Sequence, residues 1–328
     1  MNLQRAKTIV LEHYHAIDSA NSSNIQQILQ YNTTSNWKWR GYHPFNEQTG
    51  YRDIAAVFWR PWMEAISYPQ RRQDIFFAGY NEIDAFTSTW VVSLGHLVGL
   101  FDQPFIGIPP NGKMVFLRYC EFNRVENEKI TETAFYCDLP HLMVQTGLEP
   151  FTKQRGAELV QPGPITHDGL LFTPSNPEEG AKTLATINAM CKNLGTWQSG
   201  LPLEEELAQN WHDDMIWWGP TGIGSTYTIE RYAKQHSRPF RAAFSERSSL
   251  NHIARLAEGH YGGFFGWPNF TAVNSGGFLG LPTSTLRSEF RVIDIYRRRG
   301  DKLAENWVFI DLLHWMKQHG IDMLKEQR

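Results

Sequence analysis

Cysteine is nearly absent from this chain. Cys120, Cys137 and Cys191 are the only three in 328 residues. Their number is odd and none has C-x-x-C spacing, which argues against a disulfide framework and is the usage expected of a reducing, cytoplasmic setting. Long apolar runs are missing too. No stretch of about 18 apolar residues occurs, so no transmembrane helix is expected. The amphipathic N-terminus, 1–18, lacks the apolar core and small-residue cleavage site of a secretory leader. Neither charge is in excess: 31 Lys and Arg stand against 34 Asp and Glu, a net charge of −3. Such a balance supplies no field to draw nucleic acid or an anionic membrane, and neither partner is expected. No G-x-x-x-x-G-K-[ST] or H-E-x-x-H motif occurs, and Gly219-Pro220-Thr221-Gly222-Ile223-Gly224 lacks the G-x-G-x-x-G spacing. His13 and His15, two apart on a helix, point to different sides. No metal and no cofactor is expected.

Aromatic residues are what the chain has in plenty. Twelve Trp, 12 Tyr and 20 Phe are present, some clustered, as in Trp37, Trp39 and Trp217, Trp218. Large flat side chains serve both a packed core and the walls of an apolar ligand pocket. An apolar share of 41% with 20% charged residues is ordinary for a globular protein, and the length suffices for two domains with separate cores.

The chain also repeats. At an offset of 173, residues 105–147 align without a gap to 278–320, with 13 identities in 43 positions. These include Arg118/Arg291, Arg124/Arg297, Glu132/Glu305, Asp138/Asp311 and His141/His314, and acid replaces acid at Glu121/Asp294. Upstream, Arg60-Pro61-Trp62 answers Arg238-Pro239-Phe240. A period of this length means duplication of a whole unit. A first domain is expected at 1–150, a Pro- and Gly-rich linker at 151–175, and a second domain at 176–328, opening on the helix signal Asn176-Pro177-Glu178-Glu179. Helical periodicity covers 1–18, 52–66 and 229–244. Strand alternation covers 87–94, 114–125, 130–137, 286–298 and 302–310, the last two joined by a turn at Gly300-Asp301. This order predicts an α+β fold in which helices pack on one face of a curved antiparallel sheet, a cone with a pocket between its layers.

Three stretches carry a family resemblance: Phe58-Trp59-Arg60-Pro61-Trp62, the Phe-x-Gly-x-Pro turn of both copies, and the hairpin strand Lys302-Leu303-Ala304-Glu305-Asn306-Trp307-Val308-Phe309-Ile310-Asp311, followed by Gln318 and Gly320. In these the chain resembles the SnoaL-like polyketide cyclases of the nuclear transport factor 2-like (NTF2-like) superfamily, twice in tandem. The resemblance implies two cone-shaped domains with an acid/base carboxylate near each pocket floor, at Asp138 and Asp311. It also implies a His ahead of the Gly-x-Pro turn, a place taken by His96 in the first copy and Asn274 in the second. The second copy keeps Trp307 where the first has Ala134. Members of the superfamily commonly pair through their sheets, so the resemblance implies an intramolecular pseudo-dimer, with further self-association of that pair left open.

Physical alternatives stand beside each assignment. Asp138 and Asp311 end a strand where a helix begins. Each either caps that helix or, raised in pKa by an aromatic pocket, moves a proton at a carbon beside a carbonyl. His96 is either the partner of Asp138 or a histidine satisfied by a backbone carbonyl. By strand parity Glu132, Tyr136 and Asp138 share a face, as do Glu305, Trp307, Phe309 and Asp311, and that face is expected to line the pocket. Arg118, Arg124, Arg291 and Arg297 either bind a substrate anion or pair with Glu132 and Glu305 across the hairpins. Trp39 and His43, in the loop after a shorter second helix expected to end before Trp39, are expected at the pocket mouth, and His212, Asp213 and Asp214 read as polarity at a helix end.

The catalytic candidates are therefore Asp138, His96 and Asp311, and the ligand-binding candidates Trp39, His43, Arg118, Arg124, Tyr136, Arg291, Arg297 and Trp307. The function expected first is that of a cofactor-independent acid/base enzyme on a small organic or polyketide-like carbonyl compound, acting by cyclisation, isomerisation or dehydration. Its His96 and Asp138 favour the first copy as the working one. The alternative is a non-catalytic binding protein for a hydrophobic, ring-containing molecule. Where the carboxylates point separates the two.

Overall fold

Apolar residues three and four apart, Ala6, Ile9, Val10, Tyr14 and Ile17, give the N-terminal segment one buried stripe. The computed structural model folds it as α1 (Leu3–Asp18), capped by Asn2, whose side chain accepts from the Arg5 N–H at 2.8 Å. The structure describes residues 1–151, 154–196 and 200–325; 152–153 of the expected linker, and 197–199 and 326–328 of the expected second domain, lie outside these. After α1 come α2 (Ile25–Asn32), β1 (Thr33–Gly41), β2 (Asn46–Thr49), α3 (Tyr51–Ile54), α4 (Arg60–Ala65), β3 (Ile66–Tyr80), β4 (Thr89–Phe101), β5 (Met114–Glu126), β6 (Lys129–Cys137) and α5 (Leu139–Gln145). The second half repeats the plan with α6 (Pro177–Thr196), α7 (Leu203–Ala208), β7 (Trp211–Trp218), β8 (Thr226–Tyr227), α8 (Ile229–Tyr232), α9 (Arg238–Ala243), β9 (Phe244–Ser245), β10 (Ala254–Glu258), β11 (Tyr261–Asn274), β12 (Arg287–Arg299), β13 (Lys302–Ile310) and α10 (Leu312–Gln318).

In both halves one π turn, Ala55–Trp59 or Ala233–Ser237, runs straight into an Arg-Pro pair. Proline brings no N–H to the helical ladder, so the hydrogen bonding has to slip at that point. This is the structural content of the shared Arg60-Pro61 and Arg238-Pro239.

The first sheet runs β2-β1-β6-β5-β4-β3 and the second β10-β11-β12-β13-β7-β8, with β9 beside β11. The α+β duplication stands, with two corrections. Each sheet is antiparallel except for one pair, β1 with β6 and β7 with β13, which run parallel. His212, Asp213 and Asp214 lie in a strand rather than at a helix end. Met215 and Trp217 are buried while Ile216 and Trp218 are half-buried, which is strand alternation.

Each sheet has a concave face under its helices and a convex face behind. The convex faces of the two halves meet. Phe265 packs on Trp90 and Phe122, with ring centroids 5.5 and 5.2 Å apart, and Trp267 on Tyr136 at 5.9 Å. The pseudo-dimer is thus two sheets packed back to back. The connecting stretch drapes over both halves. Phe76 N–H donates to Gly169 O and Leu171 N–H to Phe76 O, both at 2.8 Å, while Ala157 bridges to Ser225. Among the described residues no helix is long and apolar enough to cross a membrane.

Candidate functional site

The two carboxylates expected on the pocket floors face the junction between the halves. Asp138 caps α5: its Oδ1 accepts from His141 N–H at 3.1 Å. Its Oδ2 accepts from Thr221 N–H of the other half at 3.1 Å and lies 3.4 Å from Arg118. Asp311 repeats this at α10, with His314 N–H at 3.0 Å, His43 N–H at 2.9 Å and Arg291 at 3.5 Å. Both are therefore helix caps that also clamp the opposite half. Burial pushes the Asp311 carboxyl up to about 6 against the pull of Arg291.

The rest of that strand face goes with them. Arg118 donates to Val308 O at 2.7 Å and Trp218 O at 3.2 Å and lies 4.1 Å from the Phe309 ring. Arg291 donates to Asn46 Oδ1 at 2.8 Å and covers Trp267. The Tyr136 hydroxyl donates to Gly266 O, and Trp307 Nε1–H to Pro162 O in the connecting stretch, each at 3.1 Å. Arg297 pairs with Glu305 at 2.6 Å, and Arg124 lies 2.5 Å from Glu126 and 3.9 Å from Glu132, the cross-hairpin alternative. His96 is on the outer face as well, in register with Arg118 and 3.3 Å from Asp74. By strand register Asn274 answers Phe101, not His96. His43 gives its backbone to Asp311, and its ring lies 6.5 Å from His314. Trp39 does face the first cone, stacked on Phe135 at 5.7 Å as part of the core rather than at a mouth. Strand parity groups these side chains correctly, but alternation does not say which face closes over a cavity.

The cone of the first half is full. Arg71, on β3, holds its guanidinium 4.1 Å from the Tyr14 ring and 5.2 Å from Tyr119, in ion pairs with Asp18 at 3.2 Å and Glu121 at 3.5 Å. Trp37 donates to the Thr133 hydroxyl at 2.9 Å, Thr133 to Asn123 Oδ1 at 2.6 Å, and Asn123 to the Tyr14 oxygen at 2.9 Å. A crevice of about 20 Å³ remains beside Asp18, Trp59 and Arg71, room for a water at most.

The second half builds a different interior on the same frame. At the aligned positions Glu121, Asn123 and Thr133 become Asp294, Tyr296 and Asn306. The strand that carries Arg71 has no continuous counterpart: β9 and β10 are separate, and Arg247 and Leu250 between them border an opening. The result is a cavity of about 130 Å³ walled by Trp211, Trp217, Tyr232, Phe240, Phe264 and Phe270, in which Asp294 is the one carboxylate among the described lining residues. Asn306 donates to Asp294 Oδ1 at 3.1 Å and the Tyr296 hydroxyl also bonds the carboxylate. Asp294 is only partly covered and lines the cavity. Burial pushes its carboxyl up to about 7, while the hydrogen bonds from Asn306 and Tyr296 pull the other way. His236, from the second π turn, stacks on Trp217 at 4.0 Å, and burial brings its imidazole down to about 3, so it is neutral at physiological pH. Arg241, in contact with Glu206 at 2.5 Å, and Arg247, which donates to Leu194 O and Gly195 O at 2.9 Å each, also line the cavity. A wider depression of about 920 Å³ beside 277–282 has no carboxylate in its described lining. Among the described residues no three His, Cys, Asp or Glu side chains gather as a metal site.

An acid titrating near neutrality in an aromatic cavity can accept a proton and return it within one reaction. Its amide and phenol neighbours are neutral hydrogen-bond groups beside it. The sequence signal for this site was the acid-for-acid pair Glu121/Asp294, together with the file Phe290, Val292, Asp294, Tyr296, one acid on an otherwise apolar or aromatic strand face.

Residues 84–146 match the family model for SnoaL-like polyketide cyclase; the match lies in the half whose cone is filled. No curated protein matches the chain. Among solved structures, the chain is similar to a protein from Jannaschia sp. CCS1 provisionally assigned as a SnoaL-like polyketide cyclase, at 16% identity over 45% of this chain and 94% of that one, with a TM-score of 0.36. It is similar to an NTF2-like protein from Burkholderia thailandensis at 19% identity, over 45% of this chain and 100% of that one, with a TM-score of 0.33. A protein from Xanthomonas campestris pv. campestris, provisionally assigned as a polyketide cyclase, is 18% identical over 44% of this chain and 99% of that one, with a TM-score of 0.35.

Proposed function

We propose that the chain is a cofactor-independent acid/base enzyme whose working site is the second cone. There Asp294 moves a proton at a carbon beside the carbonyl of a small ring compound, in the course of cyclisation, isomerisation or dehydration. The observation that carries this reading is one carboxyl lining an aromatic cavity, pushed up to about 7 and flanked by Asn306 and Tyr296. The match of 84–146 to a cyclase family supports the reaction class. The role first expected of Asp138, His96 and Asp311 passes to Asp294, because those three side chains are engaged at the outer face.

In this reading the ionised Asp294 takes the proton from carbon as electrons shift toward the carbonyl oxygen, and the same carboxyl returns the proton to a second carbon or to a leaving hydroxyl. The aromatic walls hold the ring and exclude water, so the polar groups beside Asp294 act in a low dielectric. Incubating cyclic ketones with the protein in deuterated water and following loss of the α-proton signals tests this. Exchange that Asp294→Asn leaves as fast as in the wild type removes the site from the chemistry.

A second reading, a binding protein for a hydrophobic ring compound, is favoured by one observation: the two strand-end carboxylates are turned away as caps. Under it Asp294 only orients a ligand, wild-type protein exchanges no proton, and Asp294→Asn weakens binding.

A further inference from the structure

The convex face of the second sheet carries a cavity of its own, bordered by the connecting stretch. It measures about 410 Å³, and Leu159, Ile165, Trp218, Tyr227, Arg297 and Glu305 are among the residues that line it. That volume is within the range of small-molecule sites. Register sets the strand residues side by side. Arg297 is opposite Glu305, Glu305 beside Ile216, and Ile216 opposite Tyr227, while Trp218 shares the face of Ile216 two residues farther along β7. Glu305 is buried, and both hydrogen bonds it receives go to Oε1, from Arg297 Nε–H at 2.6 Å and Ile165 N–H at 3.3 Å. Its Oε2 meets no donor among the described residues, and the buried Trp218 Nε1–H meets no acceptor. Folded proteins seldom leave a buried polar atom unmatched, and here two of opposite kind belong to residues of one cavity.

The first half shows what is missing. Glu132, the counterpart of Glu305, has two arginines on it: Arg124 at 3.9 Å, and Arg40, whose guanidinium donates to it directly. Arg40 is in register with Ala134, and Trp218 with Trp307, the residue that answers Ala134 at the offset of 173. Trp218 therefore stands in the place of Arg40, and the second donor to the glutamate is gone. We propose that the cavity is a second ligand site, for a small organic ammonium compound with a hydrogen-bond acceptor near its nitrogen, an aromatic amino alcohol being the simplest case. Its ammonium donates to Glu305 Oε2, as Arg40 does to Glu132, and its acceptor receives Trp218 Nε1–H. Its apolar body lies against Leu159, Ile165 and Tyr227, which are otherwise exposed. Arg299, also in the lining, is held by Asp214 at 2.5 Å. With Arg297 and Glu305 these four charges cancel, so the preference for a cation is set by the one unpaired carboxylate oxygen, which repels an anion. The site lies on the opposite face of the sheet from Asp294 and does not depend on the proton-transfer reading.

The test titrates the full chain by calorimetry at low salt with phenylethanolamine, phenethylamine and phenylethanediol, which share a ring and differ in ammonium and hydroxyl groups. Both amines are expected to bind at least about tenfold more tightly than the diol, and the amino alcohol about threefold more tightly than the plain amine. Glu305→Gln, which keeps an acceptor for Arg297, is expected to bring amines and diol within about twofold. Trp218→Arg, which supplies the residue of the first half, is expected to abolish binding of all three. Binding of the amines is expected to persist in Asp294→Asn. No binding, a diol as tight as the amines, amines that bind equally, or a preference that Glu305→Gln leaves intact overturns the proposal. So does a preference lost in Asp294→Asn, which would place the amine in the cone. Where Glu305→Gln or Trp218→Arg does not fold, the wild-type order of the three compounds and the Asp294→Asn titration decide.

Discussion

Asp294 and Glu121 occupy the same place in the two halves, yet an amide faces the first, Asn306 at 3.1 Å, and a guanidinium the second, Arg71 at 3.5 Å. That difference decides what each cone can do. The ion pair holds Glu121 as a counter-charge, and Arg71 fills the space a ligand would need. The amide leaves Asp294 able to trade a proton with whatever enters. Each cone is thus committed by a side chain from another strand.

Replacing Asp294 with Asn should lower α-proton exchange at pH 8 by at least about 100-fold without changing the near-ultraviolet circular dichroism. In the wild type the rate should rise with pH through about 7 and then level off, because the base is the ionised form of a carboxyl titrating there. An NMR rate profile from pH 5 to 9 checks both. A rate that falls over this range would assign the chemistry to a protonated group.

Stability should depend on pH in the opposite sense to most proteins' carboxylates. Asp294 at about 7 and Asp311 at about 6 titrate above the ordinary 3.8. Between those values the folded state holds more protons than the unfolded one. Their stabilising contribution is therefore fully present below about 4 and lost as pH rises through about 7. Asp294→Asn should be more stable than the wild type at pH 8, by about 1 to 3 kcal/mol, with a much smaller difference at pH 4. Urea unfolding at the two pH values measures this.

Asp138→Ala and Asp311→Ala should each cost about 2 to 4 kcal/mol, since each strands a helix-capping N–H and the Thr221 or His43 N–H of the opposite half. Thermal unfolding reads the loss. A change below about 0.5 kcal/mol would show that the clamp contributes little.

Arg71→Met should destabilise by about 3 to 5 kcal/mol, because it leaves Glu121 buried without its counter-charge. Adding Glu121→Gln should recover part of that loss. A double-mutant cycle in urea gives the coupling, and strictly additive costs would mean the pair is not what closes the first cone.

Much of the architecture was legible before any coordinates. Identity at a fixed offset revealed the duplication, and the hairpin alternation at 114–125 and 130–137 emerged as β5 and β6 within a residue at each end. The site was harder. Arg118/Arg291, Glu132/Glu305 and Asp138/Asp311 agree between the copies, an agreement that a shared site and a shared structural role explain equally. They agree because hairpin pairing and a two-fold junction ask the same residue of both halves. A cavity that opens in the second half imposes no such agreement, and there Thr133 becomes Asn306 and Asn123 becomes Tyr296.

The sequence by itself determined two like frames, the order of their elements and which side chains share a strand face, because periodicity and parity are properties of the local backbone. Tertiary structure alone decided which face turned inward, since that depends on the convex sheets finding each other across the chain. It alone decided, too, that Arg71 would fill one cone while the break between β9 and β10 left the other open beside Asp294. Sidedness and empty space arise from packing between distant segments, and no spacing along the chain records them.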